Sequence, residues 1–257
     1  MGTRAQRDPL FELAWPGKDG VRRRKEVLLT TAHDEVSVAL PHATEKLHQA
    51  VEEAAHLVAR VTGGPLDDAW PPLEAAALLV PDDLVVLLRI DGSWRMAAGV
   101  VCFPSHWSPP EKLGLPVAAI HDPVPRYADE LRNRVDRVLD HLSPDRPVWR
   151  RNWTIHASNE LYAPQPVATR DPVPAHNHWL RSERQVLAAL PLSGGTLFTI
   201  RTDQVPLAAL KERPGTASQL AGALRATPPD LAAYRFGAVD IDRVAEYLDR
   251  QAMADRG

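Results

Sequence analysis

The chain has 257 residues, 44% of them apolar and 25% charged, a composition that supports a globular fold with a sizeable core. A formal net charge of −3 excludes a global basic field that would recruit nucleic acid, and a single cysteine excludes an internal disulfide or a cysteine-based metal cage. The start of the sequence lacks the apolar stretch of a secretory signal, and no run of about 18 apolar residues occurs, so a cytoplasmic protein without a membrane span is expected.

Residues 1–25 are polar and read as an irregular arm, with Arg22-Arg23-Arg24-Lys25 as a solvated turn before a helix. A helix is predicted over 41–61, where Leu47, Val51, Ala54, Val58 and Val61 fall on one apolar stripe and Gly63-Gly64-Pro65 stops it. A short apolar helix is predicted over 73–79. Two strands follow, at 84–90 and from Trp94 to about Phe103, joined by the hairpin signal Asp91-Gly92. Cys102 lies in the second and reads as a core thiol, the alternatives being a thiolate ligand to a metal or heme or a reactive thiol. Ser105 to Pro125 is irregular apart from a helical piece at 116–121, and a longer helix is predicted over 126–142. Val148–Ile155 reads as a strand and 159–175, with its prolines, as a loop. Trp179–Leu190 and Thr196–Thr202 read as a hairpin around Ser193-Gly194-Gly195, and helices at 216–225, 228–235 and 240–251 complete the order. This is an α+β arrangement with a mainly antiparallel sheet of about five strands. Two strands, a helical excursion and three strands is also the chain order of a PAS-like fold.

Alternation sorts the strand residues into faces. Arg150, Asn152, Thr154 and His156 share one face of their strand, and Arg151 lies on the other. Arg181, Glu183 and Gln185 share a face of the next strand. Leu197, Thr199 and Arg201 share a face of the last. If the three polar faces coincide, they make an arginine-rich wall around one carboxylate, suited to an anionic, flat ligand; the alternative is a solvated sheet face. His121, between an apolar run and two prolines, reads either as a metal ligand or as a helix C-terminal cap. His156 is open to ligand, supporting or surface roles. His176 and His178 are expected at the surface, and His106 has no assigned role. No HExxH, CxxC, GxSxG, P-loop or dinucleotide-binding fingerprint occurs.

The segments CFPSHW, KLGLPVAAIHDPVP, RPVWRRNW with IH, LRSERQ and LPLSGGTLFTIRT, in this order, resemble the heme-dependent oxidative N-demethylase family, with weaker similarity in PPDLAAYR. The resemblance covers roughly residues 35–240. It implies a PAS-like heme domain, here 26–257, that oxidises a small N-methylated amine with O2 and reducing equivalents and releases formaldehyde. It implies heme b as cofactor, electrons from an external NAD(P)H-dependent reductase of flavin and iron–sulfur type, and a tetrahydrofolate-binding subunit as formaldehyde acceptor. Under it, His121 is the first choice for axial iron ligand and His156 the second. Arg150, Arg151, Arg181, Arg184 and Arg201 form the pool for the heme propionates. Glu183 would hold the substrate ammonium, and Tyr127 would donate a hydrogen bond near the ligand. The competing expectations are a non-catalytic PAS-type heme sensor or carrier and a heme-free scaffold.

Overall fold

The computed structural model describes residues 4–5, 18–41, 44–121, 132–166 and 172–253. Seven strands among them pair in one sheet: β1 (Arg4–Ala5), β2 (Ser37–Ala39), β3 (Asp83–Ile90), β4 (Ser93–Val100), β5 (Val148–His156), β6 (Trp179–Leu190) and β7 (Gly195–Pro206). Their order is β1-β5-β6-β7-β3-β4-β2, and every pairing is antiparallel. The α+β reading therefore holds. The five long strands are those read from the sequence, and the two additional ones are short edge segments without an alternation signal.

The helices are α1 (Lys18–Thr31), α2 (His33–Val36), α3 (Glu45–Thr62), α4 (Pro72–Leu79), α5 (Pro109–Lys112), α6 (Val117–His121), α7 (Arg132–Asp140), α8 (Pro214–Arg225), α9 (Pro229–Phe236) and α10 (Ile241–Met253). None is long and apolar enough to cross a membrane. Local chemistry sets the boundaries. Thr44 caps α3 by accepting from the Leu47 amide, and Gly63 ends it in a left-handed conformation at φ 70°. Asp91 and Gly92 both have positive φ, 49° and 77°, as a two-residue hairpin connection between β3 and β4 requires.

One expectation fails at the N-terminal end. The basic run is not a turn: it lies within α1, and Lys25 is fully buried. Val21, Lys25 and Leu29 are spaced four apart, so the lysine sits on the helix stripe that packs inward.

The sheet has two covered faces. Its back face packs Leu84, Val86, Leu88, Val186 and Leu197 against α1, α3 and α4. Toward the other end of the sheet, Ile155 of β5, Leu180 of β6 and Leu207, just past β7, pack against α8 and α10. On its front face, Val85, Leu87, Leu187 and Phe198 meet Val117 and Ile120 of α6 and Val135 and Leu139 of α7. Asp140, at the end of α7, ties that helix to the β3–β4 hairpin by accepting from Trp94 Nε1 at 2.8 Å and Arg89 Nη1 at 2.5 Å.

Candidate functional site

Register decides which of the expected site residues meet. Across β5 and β6, Arg150 stands opposite Gln185, Asn152 opposite Glu183, Thr154 opposite Arg181 and His156 opposite Trp179, so these eight side chains share the front face. The coincidence of faces fails at β7. There Glu183 stands opposite Thr202, and Arg201 stands opposite Arg184. Arg151, Arg184 and Arg201 therefore share the back face, and the expected single arginine wall is split in two. The cause is the turn. Leu190 pairs with Gly195, so odd-numbered residues of β6 face even-numbered residues of β7.

The front-face group contains a short hydrogen-bonded row. Arg150 Nε donates to Gln185 Oε1 at 2.6 Å, and Gln185 Nε2 donates to Glu183 Oε2 at 2.8 Å. Glu183 is 9% exposed. The hydroxyl of Thr202, directly opposite, is buried without a hydrogen-bond partner. Thr154 Oγ1 donates to the Arg235 carbonyl at 2.8 Å, which brings α9 to this end of the face, and the phenol of the half-exposed Tyr234 is pushed up by desolvation and then by the negative charge of Glu183. Tyr234 belongs to PPDLAAYR, but nothing in its spacing points to Glu183.

Arg181 is fully buried and is spent on backbone. Its Nη1 and Nη2 donate to the carbonyls of Phe103 (2.6 Å), Pro104 (3.2 Å), Glu160 (3.2 Å) and Leu161 (3.1 Å from each nitrogen). It thereby joins the segment after β4 to the segment after β5. Those two segments also pair directly: the His106 amide donates to the Ala163 carbonyl at 2.8 Å, and Ser105 bridges Ala163.

A pair of imidazoles lies beside this clamp. His156 is buried and stacks on His106 with ring centroids 4.5 Å apart and planes at 19°. Its Nε2 is 3.1 Å from Ser105 Oγ. Burial, then the charge of Arg181, then His106 push the His156 imidazole down to about 3, so it is neutral at physiological pH. Burial and Arg181 also lower His106. His106 is exposed and holds φ 58°, a left-handed conformation that residues bearing a Cβ seldom adopt. The sequence left His106 unassigned; its position after Pro104 on the tight turn is visible only in three dimensions.

On the back face, Arg151 Nη1 and Arg201 Nε approach Asp203 at 3.8 and 3.6 Å. Arg184 and Arg201 are buried, and both act with Lys25 on Asp82. Burial pushes that carboxyl up to about 6 against these three cations, and neither of its oxygens has a hydrogen-bond partner.

His121 closes α6, at the front-face side of the sheet, and Tyr127 lies outside the described residues. His176 is exposed as expected. His178 is not at the surface: it is 4% exposed, and its Nδ1 is 3.1 Å from the Pro174 carbonyl. Cys102 is a core residue as expected, its thiol pushed up to about 12 by burial and then by Asp83.

The donor chemistry of the front face fits a heme. It offers a neutral imidazole, a half-buried guanidinium at Arg150, an orphaned hydroxyl at Thr202 and an apolar cover from α6 and α7. An enclosed heme-sized pocket is not among the features the described residues show; the cleft between Arg150, Gln185 and Phe198 measures about 30 Å³, room for one water. A larger groove of about 730 Å³ runs between α3 and the β6–β7 turn, beside His56, Arg60 and Leu192, on other residues altogether. Among the described residues, no three His, Cys, Asp or Glu side chains are placed to hold a bare metal ion.

A known family matches most of the chain. The model of a family described as haem-dependent oxidative N-demethylase, alpha subunit-like, matches residues 42–244, which is most of the chain and includes every strand from β3 to β7.

Proposed function

Because the chain belongs to the haem-dependent oxidative N-demethylase, alpha subunit-like family, we propose that it removes an N-methyl group from a small amine as the heme-carrying subunit of a multi-subunit oxygenase. The observation that carries this reading is the buried Glu183 carboxylate in the middle of the front face. A buried carboxylate and a small ammonium ion stabilise each other where water is excluded. Gln185 occupies Oε2 and is itself held by Arg150, so Oε1 is left to the amine and the carboxylate is fixed in orientation. Glu183 then binds the ammonium, sets the methyl group against the cofactor and takes the nitrogen's proton before oxidation.

Heme b is the proposed cofactor, lying against the front face in a PAS-like arrangement, which the chain order of two strands, a helical excursion and three strands supports. His121 is the residue proposed to hold the heme iron. His156 is the second choice, because Ser105 faces its Nε2 and His106 covers its ring. Arg150 is the proposed propionate partner on this face. Arg181 commits both terminal nitrogens to carbonyls, and Arg151, Arg184 and Arg201 lie behind the sheet. Tyr127 keeps its proposed role as a hydrogen-bond donor near the ligand. When bound, the heme supplies, with O2 as co-substrate, the oxidising power that breaks the methyl C–H bond. Its electrons come from an external NAD(P)H-dependent reductase of flavin and iron–sulfur type. The proposed fate of formaldehyde is transfer to a tetrahydrofolate-binding subunit. The protein is proposed to act in the cytoplasm.

The test is NADPH-dependent formaldehyde release by the heme-loaded chain with a surrogate reductase and small N-methylated amines. Release that depends on amine, and that Glu183→Gln suppresses, is the expected result. Heme uptake without amine-dependent NADPH consumption would instead make the chain a heme sensor or carrier.

A further inference from the structure

The segment Cys102–His106 is held more firmly than the end of a strand requires. Asp83, the first residue of β3, accepts from the Cys102 amide at Oδ1 and from the Phe103 amide at Oδ2, both at 2.9 Å. Arg181 takes the carbonyls of Phe103 and Pro104 from the other side. One short stretch of backbone is thus gripped by a buried carboxylate at its donors and a buried guanidinium at its acceptors. Behind Asp83 stands Lys25, whose Nζ is 3.8 Å from Oδ1, donates to the carbonyls of Ala77 (3.1 Å) and Asp82 (2.5 Å), and lies 5.7 Å from the Phe103 ring centroid. Burying a carboxylate and an ammonium is expensive, and an apolar pair of similar volume would serve packing alone at lower cost. What the two charges add is a fixed backbone conformation. Its product is the next two residues: Ser105 at His156 Nε2, and His106 in its left-handed conformation with its ring on His156.

We propose that Asp83, backed by Lys25, is a positioning residue of the site: it locks Cys102–Phe103 so that Ser105 and His106 are held against His156 at the edge of the front face. This rests on the reading of that face as the heme and amine site. Asp83 touches neither ligand and acts only through the turn.

The test uses the full chain. Asp83→Asn keeps the side chain's size but turns an amide N–H toward one of the two backbone donors. In the heme-free protein, the nuclear Overhauser contact between the His106 and His156 ring protons is present in the wild type and is lost in Asp83→Asn, while amide resonances of α8 and α10 stay in place. Because Lys25 is then buried without its counterion, the double variant Lys25→Met/Asp83→Asn removes both charges; it folds and still lacks the ring contact. In the heme-loaded protein, Asp83→Asn shifts the Soret maximum, and His106→Asn, which tolerates the left-handed backbone, reproduces the shift. A ring contact of wild-type intensity in either folded variant, or its absence from the wild type, overturns the proposal. A wild-type chain that takes up no heme counts against the functional reading alone, since the ring contact in the heme-free chain still decides the role of Asp83.

Discussion

On the front face of β5–β6–β7, Arg150, Gln185 and Glu183 form a hydrogen-bonded row with an unpartnered hydroxyl beside it, at Thr202. On the back face of the same strands, Arg184 and Arg201 stand opposite each other, buried between two apolar cores, with Asp203 and Asp82 as their acidic neighbours. The residue types are nearly the same and the alternation is the same. The difference lies in what covers each face. Helices on both sides of the back-face group shut it in, so its charges must balance internally. The front-face row has a carboxylate that two polar neighbours orient, which is what a ligand site needs.

The contrast is sharpest between arginines of one face. Arg181→Met removes five donated hydrogen bonds and strands the buried carbonyl of Phe103, so a loss of about 4 kcal/mol in urea unfolding is expected. Arg150→Met, on the half-buried row, is expected to cost about 1 kcal/mol. Equal losses would mean that Arg181 is not a clamp.

The two faces also respond oppositely to pH. The folded His156 imidazole is pushed down to about 3, from an ordinary value of 6.5. Its contribution is therefore complete above pH 6.5 and is lost as pH falls from there toward 3, on the order of 3 kcal/mol at pH 4. His156→Asn is expected to flatten that acid limb of the stability profile; an unchanged limb would mean that His156 titrates normally. Asp82 runs the other way, because its folded carboxyl is pushed up to about 6 from 3.8. The native state holds the extra proton between those values, so stability falls as pH rises through the window, and the penalty is complete above 6. Asp82→Asn is expected to raise stability at pH 8 by on the order of 3 kcal/mol and to change little at pH 4. A gain that is equal at both values would assign the effect to packing.

The most specific expected effect concerns the carboxylate itself. Glu183→Gln should weaken amine binding about tenfold while heme affinity stays within twofold. Parallel loss of both would make Glu183 a structural residue.

Much of the frame was legible because periodicity and turn chemistry are local. The α3 stripe, the Asp91-Gly92 hairpin and the polar face shared by β5 and β6 follow from spacing alone. The β7 face did not, because pairing parity depends on how many residues the turn spends, and Ser193-Gly194-Gly195 does not announce that Leu190 will pair with Gly195. Lys25 was half legible: its four-residue spacing from Val21 and Leu29 marks an inward position, but the three arginines before it read as solvent. The imidazole pair was hidden, since His106 and His156 are fifty residues apart and meet only because Asp83 and Arg181 hold the turn between them. The acceptor roles of Phe103 and Pro104 carry no side-chain signature at all.

Heme titration of the purified chain, followed by its optical spectrum, tests the central claim most directly. A Soret band that saturates at one heme per chain, that moves when a small N-methylated amine is added, and that His121→Ala abolishes or strongly shifts is the predicted result. A chain that shows no saturable heme binding, with amines present or absent, would contradict the assignment of the front face as a heme site.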